Sequence, residues 1–261
     1  MSPNKKHSNH HLSNAPLVEA ILEVRWKLVE QQPGFSVDPA YKLLVGRLYD
    51  RLEAIYPFHE PLPTASLPDE MLSHKVTHRF RSAENGWPLV QLGPGIITFN
   101  DTKDYGWDSF REQGVKLVEK LFEIYPKNQL SITHLQLRYI NAVSFNIVDE
   151  NIITYIKDNL KIGFDFPKEL FSKSPIQEKP SNLNTVFSFP ISDPNGTLSL
   201  KLANGKHENT PALIWEIIVQ SVDKDIPKMP ESFENWFTAA NTIIHNTFFN
   251  LIEGSLEKKF K

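Results

Sequence analysis

The chain has 261 residues, 40% of them hydrophobic and 23% charged, with a formal net charge of −3. That is enough apolar material for one large domain or two smaller ones, and the mild acidity argues against a surface wrapped in nucleic acid. The absence of cysteine excludes disulfides, zinc–thiolate sites and a thiol nucleophile, and fits a reducing cytoplasm.

Residues 1–14 are polar, lack the apolar run of a signal peptide and read as a mobile N-terminal tail, in which His7, His10 and His11 are adventitious rather than a metal site. No 18-residue apolar run follows, so no membrane association is expected. The first strand is plain: Val18, Ala20, Leu22, Val24, Trp26 and Leu28 alternate with Glu19, Ile21, Glu23, Arg25 and Lys27. After a turn at Gln31–Gly34, Asp38 as N-cap and Pro39 at the first helical position start a helix. Its apolar stripe runs through Tyr41, Leu44, Val45, Leu48, Leu52 and Ile55 to a stop at Pro57. A hairpin of His74–Ser82 and Trp87–Leu92 turns at Asn85-Gly86, and the ladder resumes at Ile96–Asn100 beyond Gly93-Pro94-Gly95. Trp107, Phe110, Val118, Leu121, Phe122 and Tyr125 mark a second helix ended by Pro126.

The second half opens with HLQLRYINAV, His134–Val143, another alternating strand in which Asn141 falls on the apolar side. A modest helix follows at Asp149–Leu160, then strands at Asn184–Pro190, Thr197–Ala203 and Ala212–Val222. The last element is a continuous apolar stripe from Phe233 through Trp236, Phe237, Ala240, Ile244, Phe248 and Ile252 to Leu256, read as one helix of about 27 residues and ~40 Å.

The order β-α-β-β-β-α occurs twice. Leu22–Trp26 (LEVRW) matches Leu135–Tyr139 (LQLRY), Ser82–Gly95 aligns with Ser192–Gly205, and Trp107, Phe110, Val118 and Phe122 answer Phe233, Trp236, Ile244 and Phe248. The expected fold is therefore α+β. Two duplicated units, residues 15–128 and 129–261, form antiparallel sheet packed against helices, with a long C-terminal helix, similar in topology to TATA-binding proteins or helix-grip folds.

Outward positions of the strands collect polar residues: Glu23, Arg25, Lys27, Lys75, Arg79, Arg81, His134, Gln136, Arg138, Lys201 and Glu216. Under the duplication Arg25 and Arg138 are equivalent. Two guanidiniums with forked donors could grip an anion or a partner's carboxylates, whereas the simpler reading is cross-strand ion pairing. The binding candidates are Glu23, Arg25, Arg79, Arg81, Gln136 and Arg138, together with Tyr139, Asn141 and Trp107. His74 and His78 have metal-like spacing but no third ligand, and His245 lies beside the apolar stripe of the last helix. LGPG (92–95) lacks the lysine of a P-loop and reads as a bulge or sharp bend, matched by Asn204-Gly205. No catalytic or cofactor motif stands out.

PLVEAILEVRW (16–26), LGPG (92–95), YGWDSF (105–110) and LRYIN (137–141) together resemble a sporadically distributed family of uncharacterised prokaryotic proteins of about 250 residues. Here Tyr105 is followed directly by Gly106-Trp107, one residue tighter than the family's pattern. The resemblance implies no activity or cofactor. Its patchy distribution implies horizontally moving genes, such as those of antiviral defence or toxin–antitoxin loci. The expected function is a non-enzymatic binding or sensor protein, an accessory or regulatory partner in a defence-type operon, with a protein as its partner and homodimerisation open. The alternatives are a small-molecule binder or hydrolase for an anionic ligand under the C-terminal helix, and nucleic-acid binding on the sheet through Lys75, Arg79 and Arg81.

Overall fold

A computed structural model describes residues 12–102, 104–127 and 129–261. Its centre is a nine-stranded antiparallel sheet. In chain order the strands are β1 (Leu17–Trp26), the small β2–β3 ribbon (Val29–Gln32, Phe35–Val37), β4 (Phe58–Pro61), β5 (His78–Arg81), β6 (Leu89–Gly93), β7 (Ile96–Asp101), β8 (Ile132–Ser144), β9 (Asn184–Ser192), β10 (Asn195–His207) and β11 (Thr210–Val222). The helices are α1 (Tyr41–Leu52), α2 (Trp107–Ile124), α3 (Ile152–Leu160), α4 (Glu169–Ser172), α5 (Phe233–Ile252) and α6 (Ser255–Phe260). The sheet order is β4-β5-β6-β7-β1-β8-β11-β10-β9, so β1 and β8, the two alternating strands, pair at its middle.

One face of the sheet is the core. Leu22, Val24 and Trp26 of β1, Leu135 and Leu137 of β8, and Trp215, Ile217 and Val219 of β11 are buried there. Helix α2 stacks Phe110 on Phe99, and α5 stacks Phe248 over Trp215, each covering its own half. The two helices meet where a Cβ on Gly114 would come within 2.8 Å of the Phe237 ring. Periodicity of two in the strands and 3.6 in the helices therefore sorts the residues as expected, because each element has one face to bury.

Four expectations need correction. The C-terminal stripe is not one helix: Gly254, at φ +117°, breaks it, and α5 has 20 residues, about 30 Å. Asp38 does not cap α1. Ala40 holds that position, and the buried Asp38 carboxylate instead accepts from Trp26 Nε1, Tyr125 Oη and the Ala40 and Gly95 amides. LGPG is a two-residue hairpin turn, with Gly95 at φ +75°, while its supposed match Gly205 lies inside β10 opposite Ala212. Lys75 precedes β5 in the chain and is not on a strand.

The tail expected over residues 1–14, with its three histidines, lies outside the described residues as far as residue 11. Residues 12–14 are anchored: Leu12 packs against the core and the Asn14 amide donates to the Phe260 carbonyl at 2.9 Å. The strand order on either side of the β1–β8 pair is what two copies of one unit would give, β5-β6-β7-β1 facing β9-β10-β11-β8. The hairpin correspondence read from sequence does not fit it. Two strands out from the Glu23–Gln136 pair stand Gln91 on one side and Thr197 on the other, whereas the sequence match would put Lys201 opposite Gln91.

Candidate functional sites on the two sheet faces

The sheet face opposite the helices carries most of the candidate residues. One row of neighbours runs Glu60–Arg79–Gln91–Thr98–Glu23–Gln136–Gln220–Thr197 across eight strands. At ~4.8 Å per strand it is about 34 Å wide. Three carboxylates on this face are each shared by two basic side chains. Glu23 Oε1 lies 2.7 Å from Arg25 Nε and 3.7 Å from His134 Nε2. Glu216 Oε2 lies 2.7 Å from Arg138 Nε and 3.6 Å from Lys201 Nζ. Glu60 meets Arg81 Nε at 3.0 Å and Arg79 at 3.8 Å. The arginine contacts of Glu23 and Glu216 are ion pairs by distance without hydrogen-bond alignment. Burial holds the His134 imidazole below its ordinary value, with Glu23 opposing that, so at neutral pH the ring is uncharged.

The register separates the two arginines that sequence makes equivalent. Arg25 faces His134 and Arg138 faces Ile21, four residues apart along the strands, roughly 13 Å at ~3.3 Å per residue. They do not converge on one anion, and each turns to its own carboxylate. Arg79 donates to Gln91 and Arg81 to the Gly86 carbonyl of the β5–β6 loop. Gln91, Thr98, Asn100 and Glu19 form a hydrogen-bonded ladder beside them, invisible in sequence because it joins three strands. Trp107 packs its ring edge against Phe237 at 5.0 Å between centroids, a packing position on the other face.

Tyr139 and Asn141 also lie on the helix-covered face, and there they line a cleft of about 240 Å³ with Ala15, Leu17, Tyr105, His245, Phe248 and Phe249. The β1–β8 register slips between Leu17 and Glu19, a bulge opposite Ile140 and Asn141 that opens the ladder where the cleft begins. A hydroxyl chain closes one side. Tyr139 Oη donates to Asn241 Oδ1 on α5 at 2.7 Å, so its oxygen must accept the proton of Tyr105. Burial raises both phenols above their ordinary value, and both stay protonated.

Asn141 is 2% exposed, and its Nδ2 has no hydrogen-bond partner among the described residues. Trp215, directly across the strand pair from it, is fully buried, and its Nε1 likewise has no partner among them. Each unmet donor costs about 1–3 kcal/mol. Sequence marked Asn141 by its polarity but missed Trp215, which is one more apolar-looking residue until β11 is known to pair with β8. A larger cleft, about 550 Å³, runs along α2 among charged side chains including Glu112 and Lys116, which pair with each other on one helix turn.

His59 and His78 stack with ring nitrogens 2.9 Å apart, but among the described residues no group of three metal-ligating side chains occurs. No helix among them is long and apolar enough to cross a membrane. Comparison of the chain with protein-family models, curated proteins and solved structures found no match.

Proposed function

We propose that the chain is a binding protein, an accessory or regulatory partner of another protein, and that the partner docks on the polar sheet face. The observation that carries this reading is a nine-stranded sheet with its helices on one face and, on the other, glutamates each paired with arginine, two of them (Glu60 and Glu216) with a second cation beside them. With nine strands averaging between eight and nine residues, at ~3.3 Å per residue and ~4.8 Å per strand, that face offers roughly 1,200 Å², more than the ~800 Å² that each side of a standard interface buries. Arg25 and Arg138 approach their glutamates through Nε and remain about a third exposed, at 37% and 30%. A partner presenting carboxylates would complete both forks. The resemblance to a sporadically distributed family supports a place in a defence-type operon.

Nucleic acid is the less favoured occupant, since Glu60 offsets Arg79 and Arg81. Affinity capture from native lysate, comparing the wild-type chain with Arg25→Ala/Arg138→Ala, tests the proposal. A stoichiometric protein held by the wild type and lost by the variant, at equal thermal stability, supports it. Equal capture by both, or capture of nucleic acid with steep salt dependence, overturns it.

A further inference from the structure

The two unmet donors lie at a place where the fold could easily have buried hydrocarbon. Asn141 stands between Leu137, Tyr139 and Val143 on the apolar side of β8, and an apolar residue there would leave no amide to satisfy. The cleft it lines is walled by Leu17, the rings of Tyr105, Phe248 and Phe249, and His245, and among the described residues no lysine, arginine, aspartate or glutamate lines it. Trp215 lies behind the wall rather than in it, its ring stacked on Phe248 at 9° between planes. The Tyr105–Tyr139–Asn241 chain uses its own protons internally and fixes the wall shared by α5, β8 and the residues before α2. What remains is a donor at the floor of an aromatic cleft about 240 Å³ in size, just under the usual span of small-molecule pockets.

We infer that this cleft binds a small uncharged molecule with a planar apolar body and a carbonyl oxygen, the oxygen accepting from Asn141 Nδ2 and the body stacking among the aromatic walls. A carboxylate would find neither lysine nor arginine among the described lining residues, only the His245 imidazole, and an ammonium would bring a donor to a donor; each carries its charge into a mostly apolar site. The site is independent of the polar sheet face.

Benzamide, benzoate and benzylamine separate these cases, because they share one ring and differ in the head group. In an NMR titration of the full chain, benzamide should shift the Asn141 carboxamide and, among five tryptophans, the Trp215 indole N–H. It should bind at least about tenfold more tightly than either charged analogue. Asn141→Leu should lose benzamide binding about tenfold while melting no lower than the wild type, since it removes an unmet donor. Leu17→Trp, directly across the strand pair from Asn141, fills the cleft while keeping the Asn141 carboxamide, and should abolish binding with the chain still folded. Equal affinity for the three probes, no shift at millimolar benzamide, or undiminished binding by Leu17→Trp would overturn the inference. So would a folded Asn141→Leu that binds benzamide as the wild type does.

Discussion

Asp38→Asn probes the most concentrated polar knot in the first half of the chain. The Asp38 side chain is 8% exposed and receives four donors: Trp26 Nε1 at 2.9 Å and the Gly95 amide at 3.2 Å on Oδ2, Tyr125 Oη at 2.9 Å and the Ala40 amide at 3.0 Å on Oδ1. It thereby ties the end of β1, the β6–β7 turn, the end of α2 and the approach to α1. Asparagine keeps the shape but has one carbonyl oxygen, so two donors would face an NH2 group. Hydrogen bonds to a charged acceptor are worth about 1.5–3 kcal/mol each, and relaxation recovers part of the loss, which leaves a cost of about 3–4 kcal/mol. For a chain of this size that lowers Tm by roughly 10 °C. Burial and the Asp38 charge both raise the Tyr125 phenol, so its titration should move down in the variant. Urea unfolding followed by tryptophan fluorescence measures the stability directly. A loss below about 1 kcal/mol would refute the reasoning, since it would mean that the carboxylate is not the acceptor that holds these elements together.

Arg138→Ala should cost less than about 1 kcal/mol in urea unfolding, because its pair with Glu216 is partly exposed and Lys201 remains beside the carboxylate. Gly46→Ala should stabilise by about 0.5–1 kcal/mol, as Gly46 lies inside α1 with nothing within 4 Å of an added Cβ. Gly93→Ala should leave little folded protein in a solubility and melting assay, because the new Cβ would stand 1.9 Å from the Lys75 carbonyl oxygen. His78 and His134 are both held below the ordinary imidazole value by burial, so the unfolded chain binds protons at them first. The stability they contribute is present above about pH 6.5 and is lost as pH falls toward their folded values, and His78→Gln with His134→Gln should flatten the acid side of a Tm-against-pH curve.

Strand faces were legible because burial on one side imposes a strict period of two. The sequence places Glu23, Arg25, Gln136 and Arg138 opposite Leu22, Val24, Leu135 and Leu137, and the sheet keeps them so. Asn141 announced itself as a carboxamide in an apolar column. What sequence could not show depends on which strands become neighbours. The Trp215–Asn141 pairing, the separation of Arg25 from Arg138 and the Gln91–Thr98–Asn100 ladder are all set by register between distant segments. Asp38 misled for another reason: Asp-Pro before an apolar stripe is a good capping pattern, and the tertiary demand of Trp26 and Tyr125 for an acceptor outweighed it. The β2–β3 ribbon was passed over because its strands are too short to show alternation.

The docking role of the polar face is tested most directly by photocrosslinking in cells with a benzophenone amino acid at Gln136, in the middle of that face, and at the exposed Glu119 on α2. One protein partner crosslinked from Gln136 and absent from Glu119, and lost when Arg25→Ala/Arg138→Ala is added, is the result expected. Crosslinks of equal yield from both positions, or none from Gln136, would contradict it.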